Sequence, residues 1–101
     1  MGKLVRDGIP DFIRNEGRAP HVRVLTLHQY ENALLLKVVE EATELRDAEP
    51  GQRLEEMGDV LEVLEALATA LGFTWEDVRA AADAKRDRRG GFAQRLWLET
   101  L

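Results

Sequence analysis

LHQYENALLLKVVEEATELRDAEPGQRLEEMGDVLEVLEALATAL, residues 27–71, is the stretch from which the fold is read. From Leu27 to about Ala48, the apolar residues Tyr30, Leu34, Leu35, Val38, Ala42 and Leu45 form one stripe at helical spacing, with charged residues opposite. Glu49-Pro50-Gly51 ends that helix, because proline has no amide proton to continue it. A second helix is expected from about Gln52 to Leu71, with Leu54, Met57, Val60, Leu61, Leu64, Leu67, Ala68 and Leu71 as its apolar side. Gly72 suits the position just past its end. So short a connection implies an antiparallel hairpin.

The same hairpin carries Glu40-Glu41-Ala42-Thr43-Glu44 and then Glu56-Met57-Gly58-Asp59, which together hold five carboxylates. At about 100° per residue, positions three apart lie roughly 60° apart around a helix, so Glu41 projects with Glu44 and Glu56 with Asp59. Spacing alone would equally suit a solvated face. Projection, however, puts Glu41 and Glu44 on the edge of their apolar stripe and Glu56 on the border of its own, so the acids meet across the groove. Like charges in a partly buried groove repel and raise one another's pKa unless a divalent cation neutralises them. Hard cations such as Mg²⁺ take oxygen ligands and act through a few carboxylates plus substrate phosphates. The pattern is that of a magnesium site.

Composition bounds what surrounds this site. A chain of 101 residues fits a single domain, 1–101, with one core. With 45% apolar residues and a net charge of -5 it reads as folded and moderately acidic, which disfavours nucleic acid as a partner. The absence of cysteine excludes disulfides, thiolate nucleophiles and zinc-thiolate sites. Lys3 and Arg6 precede no apolar leader, and the run Ala33 to Leu36 is far too short to span a bilayer, so a cytoplasmic protein without a membrane partner is expected.

Outside the hairpin, a turn at Asp7-Gly8, a short helix from about Pro10 to Asn15 and a breaker at Gly17-Arg18-Ala19-Pro20 are expected. His21 to Thr26 alternates with period two and reads as a strand. Thr74 with Asp77 makes a variant capping box that opens a third long helix, ending near Arg89 before Gly90-Gly91. Phe92, Leu96, Trp97 and Leu98 form either a terminal strand or an apolar tail that docks on the bundle or on a second subunit. His21 and His28 read as surface residues, and Trp75 and Trp97 as packing residues rather than base platforms.

The two-part motif EExxE then ExxD on consecutive helices resembles the MazG-like all-α nucleotide pyrophosphohydrolases. Lys3-Leu4-Val5-Arg6-Asp7, Lys85-Arg86 and Arg89-Gly90-Gly91-Phe92 are similar to its phosphoribosyl-ATP pyrophosphohydrolase-like subgroup. The resemblance covers nearly the whole chain. It implies a mainly α fold, a helical hairpin bundle of the all-α NTP pyrophosphohydrolase type with short β elements near both termini, assembled as a homodimer or higher homo-oligomer. It also implies hydrolysis between the α and β phosphates of a nucleoside triphosphate or a phosphoribosyl-ATP-like substrate, giving a monophosphate and pyrophosphate, as in the house-cleaning of noncanonical nucleotides. Glu41, Glu44, Glu56 and Asp59 would hold Mg²⁺, with Mn²⁺ as a substitute, and Glu40 would orient or deprotonate the attacking water. Lys85 and Arg89, with Lys3, Arg6 and Asp7, would bind the substrate.

Two other readings use the same residues. The leucine-rich hairpin could serve as a non-enzymatic dimerisation module whose basic end binds nucleic acid. A phosphate-binding regulator would keep the metal site and lack turnover. Magnesium-dependent turnover separates the enzyme from both.

Overall fold

The computed structural model describes residues 2–101, which hold four α-helices and no strand. They are α1 (Ile9–Asn15), α2 (Leu27–Asp47), α3 (Arg53–Ala70) and α4 (Trp75–Arg89), with a single 3₁₀ turn at Pro50–Gln52 between α2 and α3. Three of the boundaries follow from local capping chemistry. The Thr26 hydroxyl accepts from the Gln29 amide at 3.2 Å, and the Gln29 side chain accepts from the Thr26 amide at 3.1 Å, closing a capping box at the start of α2. Thr74 and Asp77 do the same for α4, at 3.1 and 2.9 Å. At the end of α3, Gly72 takes φ +84°, so that the Phe73 amide donates to the Ala68 carbonyl and the Gly72 amide to the Thr69 carbonyl. That is a Schellman stop, and a side chain at Gly72 would strain it.

The helices α2 and α3 pack on each other as the hairpin, and α3 also touches α4. The hairpin buries Leu34, Glu41, Val63 and Ala68. Its packed face on α2 runs through Tyr30, Leu34, Lys37, Val38, Glu41 and Leu45, and on α3 through Glu56, Asp59, Val60, Val63, Leu67 and Ala68. This corrects the stripes expected from sequence. Leu35, Leu54, Met57, Leu61, Leu64 and Leu71 stay exposed, together with Leu36 and Val39. A helix that is apolar over more than half its circumference can turn only one flank to a single neighbour, and here it turns the flank that carries the acids. The radius of gyration, 17.5 Å, exceeds the about 13 Å usual for this chain length, because one hairpin makes a layer rather than a closed core.

The expected β elements are corrected as well. His21 to Thr26 is extended without a strand partner, and Val22 and Val24 point to solvent. Period-two alternation needs a neighbouring strand to become a sheet, and none exists among the described residues. Residues 92–98 likewise form no strand and do not dock on the chain's own helices, leaving Phe92, Leu96, Trp97 and Leu98 exposed. No helix among the described residues is long and apolar enough to cross a membrane.

Replacing Gly72 by alanine should lower stability by about 1–2 kcal/mol through the left-handed backbone penalty, with helix content unchanged. Urea unfolding followed by circular dichroism measures it, and an unchanged midpoint would contradict the argument.

Candidate metal centre

The hairpin gathers the sequence-predicted acids into two groups that share Glu41. Carboxylate oxygens of Glu40, Glu41 and Glu44 lie within 4.8 Å of one another, and so do those of Glu41, Glu56 and Asp59. Glu41 is 8% exposed, whereas Glu40 and Glu44 are exposed and Glu56 and Asp59 are half-buried. Glu40, read from sequence as set apart from the ligand pair, belongs to the first group.

Two oxygens in this cluster are buried without a hydrogen-bond partner, Oε2 of Glu41 and Oε2 of Glu56. An orphaned buried carboxylate oxygen is costly, and two on neighbouring carboxylates are costlier. Burial pushes the Glu41 carboxyl above its ordinary value, and neighbouring Glu44 and Asp59 add to the rise, while Lys37 opposes it. The Glu56 carboxyl is pushed up too, by desolvation first and then by Asp59, Glu44 and Glu55. Oxygen-only donors with unmet lone pairs and excess negative charge fit a hard divalent cation. Each three-carboxylate group can hold one such ion, with Glu41 common to both.

Two cations border the acids. Lys37 Nζ lies 3.3 Å from Glu40 Oε2 and 3.6 Å from Glu41 Oε1, and its side chain is 18% exposed. Sequence reasoning passed over Lys37. The available signal was a lone cation inside the run Leu34 to Val39, three and four residues before Glu40 and Glu41. Arg6 Nη2 donates to Asp59 Oδ1 at 2.7 Å, so the amino-terminal segment does fold over the site.

The remaining expected binding residues are distributed more widely. Lys3 lines a shallow pocket with Leu36, Lys37 and Glu40, and Asp7 lines a larger one with Arg6 and Lys37. Lys85 and Arg89 sit exposed on α4, which touches α3 but not α2, and no ion pair among the described residues joins them to the acids. The aromatic ring beside the site is Tyr30, on α2. Trp75 is half-buried at the start of α4 and Trp97 is exposed. His21 and His28 are exposed and belong to neither acid group, as expected for surface residues.

No family model matches the chain, and no solved structure matches it. An uncharacterized protein of Mycolicibacterium smegmatis (strain ATCC 700084 / mc(2)155) is 49% identical to it over 49 residues. That stretch covers 48% of this chain and 50% of the relative, so the match spans about half the length of each.

A carboxyl whose pKa is higher in the folded than in the unfolded protein favours folding below the unfolded value, and that contribution disappears as pH rises through the folded value. For Glu41 the window opens at 4.5 and extends upward. In metal-free buffer, Glu41→Gln should therefore be more stable than wild type at pH 7, by about 1 kcal/mol. The advantage should shrink as pH falls towards 4.5. Thermal melts of both proteins across that range measure it, and a wild type more stable at pH 7 would contradict the assignment.

Proposed function

We propose that this protein is a Mg²⁺-dependent nucleotide pyrophosphohydrolase of the MazG-like kind, acting in the cytoplasm on the bond between the α and β phosphates. The observation that carries the reading is the pair of unpartnered buried oxygens, Glu41 Oε2 and Glu56 Oε2, inside a five-carboxylate cluster. No hydrogen-bond donor among the described residues reaches them, and a divalent cation would satisfy them. When bound, the metal supplies Lewis acidity that neutralises phosphate charge and lowers the pKa of water.

The chain's own groups have distinct tasks in this reading. Glu41, Glu44, Glu56 and Asp59 hold the cation, and Glu40, exposed at the edge of the cluster, accepts the proton of the attacking water. Lys37, held between Glu40 and Glu41, tempers the cluster's charge and presents an ammonium to the phosphate chain. Arg6, which pairs with Asp59, would be free to contact a phosphate oxygen if Asp59 held the cation. Attack of water on the α phosphorus releases pyrophosphate and a nucleoside monophosphate, with no covalent intermediate.

The same proposal includes a homodimer. Leu35, Leu36 and Val39 on α2 and Leu54, Met57, Leu61 and Leu64 on α3 are exposed, and apolar surface of this kind favours a covering partner. A second copy would cover it isologously. Wild type should sediment as a dimer or larger, and Leu61→Glu should weaken the assembly at least about tenfold. A wild type that sediments as a monomer at micromolar concentration would remove the dimer from the reading.

The enzyme itself is tested by pyrophosphate release from canonical and modified nucleoside triphosphates and from phosphoribosyl-ATP, with and without Mg²⁺. Release should require Mg²⁺ and fall about 10³-fold in Glu41→Gln. No release from any nucleotide by the folded protein would overturn the reading.

A further inference from the structure

A pocket of about 310 Å³ lies beside the acid cluster, floored by Tyr30, Leu34, Val63 and Ala66 and roofed by Leu4 to Asp7 of the amino-terminal segment. Its size is at the lower end of small-ligand sites, which suits a nucleobase and part of its sugar but not a whole triphosphate. Lys37 and Arg6 line it on the side where they also contact Glu40, Glu41 and Asp59, so a ligand there has its phosphates at the metal cluster and its remaining portion inside. Tyr30 offers an aromatic surface and Leu34, Val63 and Ala66 an apolar floor. Asp7 and Glu62 also line the pocket, and neither has a hydrogen-bond or ion-pair partner among the described residues.

Resting on the hydrolase reading, we propose that this pocket is the nucleobase site, and that Asp7 and Glu62 select bases whose hydrogen-bonding edge presents an amino donor. A carboxylate only accepts hydrogen bonds, so it pairs with the amino group of cytosine or the N1 and amino protons of guanine. Uracil in place of cytosine turns an acceptor towards it, and hypoxanthine in place of guanine removes the amino donor. Both carboxylates are exposed, so water can replace a missing partner, and the discrimination is that of one charged hydrogen bond kept or lost.

The test uses the α,β-methylene analogues of dCTP, dUTP, dGTP and dITP, titrated into the full chain with Mg²⁺ and followed by methyl and aromatic NMR as well as calorimetry. The cytosine and guanine analogues should bind about tenfold tighter than the uracil and hypoxanthine ones. The signals of Tyr30, Leu34, Val63 and Ala66 should shift with each of them. In the double variant Asp7→Asn, Glu62→Gln, the preference should collapse to within about twofold while those shifts persist. Binding without shifts at the pocket, or a preference unchanged in the double variant, would overturn the inference. Magnesium-dependent pyrophosphate release that is lost in Glu41→Gln would still uphold the hydrolase in that event. Absence of both release and binding would overturn the two together.

Discussion

The contact between α2 and α3 is made along a line that contains Glu41, and the rest of the molecule is arranged around that fact. Leu34 and Val63 supply the apolar part of the contact, and Glu41 and Glu56 continue it as carboxylates. A hairpin selected for stability alone would turn its leucine-rich flank inward. This one leaves Leu35, Leu54, Met57 and Leu61 in solvent and encloses acids whose charges oppose one another. The amino-terminal segment, Lys37 and Arg6 all take positions that respond to that concentration of negative charge.

The helices were legible because their signals are local. Thr26 and Thr74 cap through side chains three residues away, Pro50 and Gly72 stop helices by their own backbone preferences, and none of this needs knowledge of distant residues. The acids were legible too, since i and i+3 spacing alone brings Glu41 to Glu44 and Glu56 to Asp59, and one helix–helix contact brings the pairs together. The strand expected at His21 to Thr26 failed because alternation describes half of a pairing, and the other half is missing among the described residues. Which flank of each helix would pack was not legible, because both flanks are apolar enough to serve. Lys37 and the pocket escaped for a different reason. The pocket depends on the path of residues 4–7, which no periodicity encodes, whereas the contacts of Lys37 with Glu40 and Glu41 follow helical spacing and were overlooked.

The exposed flank and the exposed tail express one imbalance. A chain that spends its single helical contact on an acid-bearing face has apolar surface left over at Leu36, Val39, Leu64, Phe92 and Trp97. Surface of this kind is normally covered. The apolar burial forgone at the acid-bearing groove is therefore not recovered on these residues.

The pairing of Arg6 with Asp59 joins residues separated by 53 positions, yet both partners are substantially exposed. A solvent-exposed ion pair contributes about 0–1 kcal/mol. Half-buried Leu4 and Val5 supply the rest of what holds the segment down, and α1 beyond them packs on no other helix. Loops so lightly held open and reclose in roughly nanoseconds to microseconds. Typical turnover takes about a tenth of a second. Opening beneath residues 4–7 is thus fast on that scale, and it requires no movement of the helices.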